Sequence, residues 1–170
     1  MLGKARESAL AALSSSFFEG LSSALGKAEW EQVIHLALKT HFPTDLVTHT
    51  GGRSEQGADI VVELPNPLGG LPWMIVIQVK DWTGEIGAKA IGQLEQAIEA
   101  YAEMDDDGVP GKQVIAAVLA STRAEPGEAF DVGAAELGRR TGTQVSAIHG
   151  DSLMELILRG VVLNDGFSAG

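Results

Sequence analysis

The segment Gln113 to Ala120, QVIAAVLA, is apolar at nearly every position. Successive strand side chains point to opposite faces, so a strand of this composition has no side to turn towards water. It belongs inside a sheet covered on both faces, and that requirement excludes an open, one-sided antiparallel sheet. A second strand-length run, Trp73 to Lys80, places Met74, Val76, Gln78 and Lys80 on one face and Ile75, Ile77 and Val79 on the other. Gln78 and Lys80 are polar groups closing an otherwise apolar strand.

The rest of the chain supplies the covering layers. Trp30, Val33, Ile34, Ala37 and Leu38 recur at helical spacing, and Pro43 ends that helix near His41. Asp45 to Thr50 and Ala58 to Leu64 read as short strands, with Pro65 to Pro72 as the turn before the third. Ile91, Leu94, Ile98, Tyr101 and Met104 form a second helical stripe, broken by Asp105 to Gly108 and Pro110-Gly111. Pro126 to Arg140 reads as a helix closed by Thr141-Gly142, Thr143 to His149 as a strand, and Asp151 or Ser152 as the cap of a helix reaching Leu158. The order is helix, three strands, helix, strand, helix, strand, helix. It predicts an α/β fold with a mixed central sheet of about five strands flanked by helices. One domain over residues 28–160 is expected, preceded by a helical extension over 1–27 and followed by a frayed tail over 161–170.

Composition narrows the function classes. The absence of cysteine excludes disulfides, zinc–thiolate sites and thiol nucleophiles. No apolar run approaches the roughly 20 residues of a membrane span, and no secretory leader is legible, so a cytoplasmic address with no membrane partner is expected. Twelve Lys and Arg face twenty-three Asp and Glu, a net charge of −11. Duplex binding draws most of its affinity from neutralised phosphates, so this balance argues against strong autonomous DNA binding. A local basic patch is compatible with it. The Gly51-Gly52 and Gly69-Gly70 pairs lack the G-K-[ST] of a phosphate-binding loop, and neither Ser121 nor Ser152 stands in a G-x-S-x-G context. Asp105 to Asp107 lack the spacing of a calcium loop.

The chemistry converges on two strand ends. Asp59 lies in the second strand and Gln78 and Lys80 close the third, so an antiparallel hairpin brings an acid, an amide and an ammonium together. A carboxylate and an amide oxygen suit a hard cation such as Mg²⁺. A lysine beside it could bind a phosphate or orient a water, as phosphodiester hydrolysis requires. Taken singly these residues have plainer readings. Asp59 could be a turn acid, Glu31 lies off the apolar stripe as a solvated position would, and Gln93 shares a polar face with Lys89. His35 stands one turn after Glu31 but reads as a surface histidine; His41, His49 and His149 read as structural.

Gly51 to Asp59, GGRSEQGAD, followed by Ile77-Gln-Val-Lys80, resembles the signature of the PD-(D/E)XK nucleases, in particular the Mrr-like branch with its Q-x-K variant. Trp30-Glu31 resembles the aromatic–Glu pair of that family's first helix, Gly92-Gln93-Leu94 its Gln-Leu pair, and His149 to Leu158 its closing strand, turn and helix. The likeness spans about residues 28–160. It implies a restriction-endonuclease-like fold, with Asp59 as central metal ligand, Glu31 and Gln78 as supporting ligands, Lys80 as catalytic cation and Gln93 as organiser. It also implies Mg²⁺ or Mn²⁺ as cofactor and DNA as substrate. Asp81 and Trp82 depart from the basic residues that more often follow the lysine, and Glu55 adds a further acid. The expected function is a metal-dependent DNA endonuclease of restriction or defence type, acting as a homodimer or with a partner subunit or DNA-recognition module. A catalytically inactive nuclease-fold assembly module is the alternative. A junction-resolving nuclease would need a broader basic face.

Overall fold

The computed structural model describes residues 19–21, 23–50, 57–102 and 111–165. The expected strands at the centre form one five-stranded sheet in which each polar and apolar face found in the sequence has a physical counterpart. Helix α1, Lys27–His41, opens where the Gly26 N–H donates to the Glu29 carboxylate at 3.1 Å, and closes before extended Phe42 and Pro43. A single 3₁₀ turn, Thr44–Leu46, delays the first strand, so β1 is Val47–His49 rather than the whole of Asp45 to Thr50. Strands β2, Ile60–Leu64, and β3, Trp73–Lys80, follow. A two-residue strand β4, Glu85–Ile86, precedes helix α2, Ala88–Tyr101. Strand β5, Gln113–Ser121, leads to a second two-residue strand, β6, Glu125–Pro126, and helix α3, Glu128–Thr141. Strand β7, Gln144–His149, and helix α4, Gly150–Asp165, are the last elements among the described residues.

The strand order is β1-β2-β3-β5-β7. The β1–β2 and β2–β3 pairs are antiparallel, whereas β3–β5 and β5–β7 are parallel. Strand β5 therefore lies inside the parallel half, as its apolar run requires. Alternation divides the core in two. On one side Met74, Val76, Ala117 and Leu119 pack against Leu94 and Ile98 of α2 and Phe130 and Leu137 of α3. On the other, Ile60, Val62, Ile77 and Val79 pack against Trp30 and Ile34 of α1 and Leu153 and Ile157 of α4. Trp30, the largest fully buried side chain, fixes which face of α1 meets the sheet.

Four further expectations are corrected. Strand β2 begins at Ile60 and not at Ala58, so Asp59 immediately precedes the strand instead of lying in it. Pro126 belongs to β6, which pairs in parallel with β4 as a small second sheet, so α3 starts two residues later than the sequence suggests. Two-residue strands carry no periodicity and are invisible to pattern analysis. Helix α4 continues past Leu158 to Asp165, so the expected frayed tail over 161–170 is helical in its first half; residues 166–170, and most of the extension over 1–27, lie outside the described residues. The second stripe ends at Tyr101, and Met104 with Asp105 to Gly108 also lies outside them.

Helices α1 and α4 approach closely at Gly160, where a Cβ would stand 2.9 Å from the Ala37 Cα and 3.2 Å from the Thr40 hydroxyl. Backbone atoms cannot yield as a side-chain tip can, so Gly160→Val should lower stability by about 1–3 kcal/mol. Urea unfolding of the two proteins checks this; an unchanged midpoint would contradict the close packing.

Candidate active site at the strand ends

Hydrogen bonding at the end of the β2–β3 ladder sets the site. Ile60 pairs with Ile77, and the Asp59 N–H donates to the Ile77 carbonyl at 2.9 Å. One step further along this register Asp59 stands opposite Gln78, and cross-strand partners share a face. Strand β2 has no residue left to meet the next donor on β3, the buried Val79 N–H. The Asp59 carboxylate takes that place, accepting the N–H through Oδ2 at 2.7 Å. A buried N–H left unpaired would be costly, so this bond positions the acid as well as satisfying the strand.

Gly57 turns the chain into this geometry. Its φ of 76° lies in the left-handed region, and a Cβ there would sit 3.1 Å from the Gln93 carbonyl oxygen and 3.3 Å from the Ala97 nitrogen of α2. Its carbonyl accepts the Gln78 side-chain N–H at 2.9 Å. That bond fixes the amide's orientation and leaves Gln78 Oε1 buried with no hydrogen-bond partner among the described residues. Gln93 Oε1 is buried and unpartnered in the same sense, so the Gln93 side chain is not the solvated polar group its helical face suggests.

Helix α1 brings the second acid. Glu31 follows the anchored Trp30 and is only 6% exposed, which removes the solvated reading. Lys27 lies four residues earlier on the same helical face. Its ammonium contacts Glu31 Oε1 at 2.7 Å and Asp59 Oδ1 at 3.0 Å, bridging the two carboxylates. The other Glu31 oxygen, Oε2, lies 3.1 Å from His49 Nε2, and the His49 ring lies against His35 with centroids 5.6 Å apart. Neither Lys27 nor His49 was singled out from the sequence as a site residue. The signal for Lys27 was its i, i+4 spacing to Glu31; His49 reaches Glu31 only through packing of β1 against α1, which no spacing reveals.

Lys80 ends β3 at 9% exposure, with its ammonium 5.2 Å from the centre of the Trp82 ring. Lys89, exposed in the first turn of α2, approaches the same ring at 5.9 Å. Asp81, which the sequence suggests would weaken the local positive field, is engaged elsewhere. It accepts a hydrogen bond from the Thr122 hydroxyl at 2.7 Å and pairs with the Arg123 guanidinium at 2.8 Å.

The protonation equilibria follow from this arrangement. Burial works against the charge on Glu31, but hydrogen bonds from Lys27 and His49 outweigh it and hold the carboxyl below the usual carboxylate range. Burial also opposes the charge on Lys27, and its bonds to Glu31 and Asp59 more than compensate, holding the ammonium above the ordinary lysine value. Lys80 moves the other way. Burial, aided by the like charges of Lys27 and Lys89, pushes it below the ordinary range despite the pull of Asp59 and Glu31.

The structure thus brings Asp59, Gln78, Lys80 and Glu31 to one end of the sheet, with Gln93 on the adjoining helix. Among the described residues no cluster of three His, Asp or Glu side chains forms a cation cage. The donors for a hard cation are instead two carboxylates that already share one positive group, and an amide oxygen with an unused lone pair. This set is all oxygen, as Mg²⁺ or Mn²⁺ prefers, and it fits such an ion.

Residues 23–157 match the Mrr_cat family, restriction endonuclease. The chain belongs to this family. The resemblance read from Gly57-Ala-Asp59 and Gln78-Val-Lys80 is thereby borne out. The Mrr_cat chain is also similar to solved structures. The structure of restriction endonuclease FokI is matched at a TM-score of 0.55 and 12% identity over 79% of this chain and 24% of that one. FokI bound to DNA is matched at 0.50 and 12% identity, over 82% and 27%. The MspJI restriction endonuclease in complex with a 27-mer oligonucleotide gives 0.49 and 14% identity, over 89% and 31%. At these identities the FokI likeness shows the restriction-endonuclease-like fold, and the Mrr_cat chain spans less than a third of each solved chain. No curated protein matches the sequence.

A carboxyl held below its ordinary value contributes stability above that value and loses it as pH falls through the folded one. Glu31 should therefore give the protein an acid-side loss of stability below pH 4.5, its unperturbed value. Glu31→Gln should flatten that part of the curve, measured as urea midpoint against pH; parallel curves for the two proteins would contradict the ion-pair geometry.

Proposed function

We propose that the chain is the catalytic domain of a metal-dependent DNA endonuclease of restriction or defence type. The observation that carries this reading is the convergence of Asp59 and Glu31 on one shared cation, at the strand end that also carries the unpartnered Gln78 oxygen and the buried Lys80. Asp59 and Glu31 with Gln78 would hold Mg²⁺ or Mn²⁺, which supplies charge neutralisation at the phosphate and a more acidic water.

The chain's own groups have separable tasks. Lys80, kept out of bulk water and presented from a rigid strand end, donates to a non-bridging oxygen of the scissile phosphate. There it offsets the negative charge that develops as water attacks, and a partly desolvated ammonium does this more strongly than one in water. Lys89, sharing the Trp82 ring, holds a neighbouring phosphate. Gln93, whose backbone carbonyl lies against the Gly57 turn, keeps the approach to Asp59 in place.

Charge assigns the remaining work elsewhere. A chain at −11 concentrates Lys27, Lys80 and Lys89 near one point but has few cations left for a long duplex footprint. Sequence reading and much of the DNA affinity are assigned to a partner subunit, a second copy or a separate DNA-reading module.

Incubation with plasmid DNA and Mg²⁺ or Mn²⁺ tests the reading. Wild type should cleave, and Asp59→Ala and Lys80→Ala should each lower the rate by about 10²-fold or more. Cleavage that survives both substitutions unchanged rejects this active site. Absence of cleavage by wild type, with a recognition partner supplied, favours the inactive assembly module.

A further inference from the structure

The carboxylate pair is already occupied by a cation of the protein's own. Among the described residues, Asp59 Oδ2 contacts the Val79 N–H, Asp59 Oδ1 and Glu31 Oε1 contact the Lys27 ammonium, and Glu31 Oε2 contacts His49. The two oxygens that face a common point are the two that Lys27 bridges. A divalent ion shared by Asp59 and Glu31 would need that point.

We propose that Lys27 is a resident counter-cation of the site, a built-in competitor that a divalent ion displaces on entering. The inference rests on the nuclease reading above and concerns how its metal is admitted. Mobility divides the contacts between fixed and movable ones. The Glu31 side chain is 8% exposed and that of Asp59 13%, whereas the Lys27 side chain is 47% exposed at the start of α1. Its four-carbon stem can swing into solvent without disturbing the core, while the acids cannot follow. With no cation present, two buried carboxylates would face each other uncompensated, so Lys27 keeps the metal-free fold intact. Binding then selects the protein molecules in which Lys27 has swung away, and the apparent affinity falls in proportion to their fraction.

Titration of the full chain with Mn²⁺, followed by the loss of free-ion electron paramagnetic resonance signal, tests this without reference to cleavage. Lys27→Gln should bind Mn²⁺ roughly tenfold more tightly than wild type, as expected when a competing state populated about nine to one is removed. Lys27→Arg, which keeps the charge, should stay close to wild type. Equal or weaker binding by Lys27→Gln overturns the Lys27 proposal and leaves the nuclease reading standing. Failure of both proteins to bind Mn²⁺ overturns both. A second measurement needs no folded variant: in wild-type protein carrying ¹³C-lysine, saturating Mg²⁺ should sharpen the Lys27 Cε resonance to that of a mobile side chain. A Lys27 signal unmoved by saturating Mg²⁺ overturns the proposal.

Discussion

Strand β2 begins too late to pair with the Val79 amide, and the Asp59 side chain finishes the ladder in its place. This bond ties an acid to the end of a neighbouring strand, where a backbone donor buried at the sheet interior makes its position obligatory. Once Asp59 is there, alternation along β3 puts Gln78 and Lys80 beside it. The left-handed turn at Gly57 both aims Asp59 and captures the Gln78 amide nitrogen. The site is thus a by-product of how two strands end, held by the same backbone that holds the core.

Electrostatics decide what such a site can do in an acidic protein. A net charge of −11 would repel a polyanion, yet the described structure removes acids from the rim and gathers cations there. Asp81 is satisfied by Thr122 and Arg123, Glu31 and Asp59 are balanced by Lys27, and Trp82 supports two ammonium groups. A single phosphodiester group can therefore be met by positive charge although a long duplex is not. This separation suits the proposed role of a cutting domain, with target recognition proposed for other modules.

The central elements were legible in the sequence because their signals are local. Period-two alternation placed Gln78 with Lys80, the apolar run of β5 required a sheet covered on both faces, and the stripe around Trp30 gave α1 its buried side. What escaped depends on tertiary contacts. The balancing of Asp81 joins the ends of β3 and β5, some forty positions apart in the chain, and the bond from His49 to Glu31 needs β1 docked on α1. Lys27 looks like an ordinary solvated lysine in a first helical turn until Asp59 is brought to it from another element. The paired strands β4 and β6 are too short to carry any pattern at all.

In the proposed enzyme Asp59, Glu31 and Gln78 would surround a single cation position at the end of β3. Anomalous diffraction from crystals grown with Mn²⁺ measures that position directly. One peak bounded by oxygens of Asp59, Glu31 and Gln78, with Lys80 alongside, is the predicted result. A peak at some other place on the protein, or none at saturating Mn²⁺, would contradict the account.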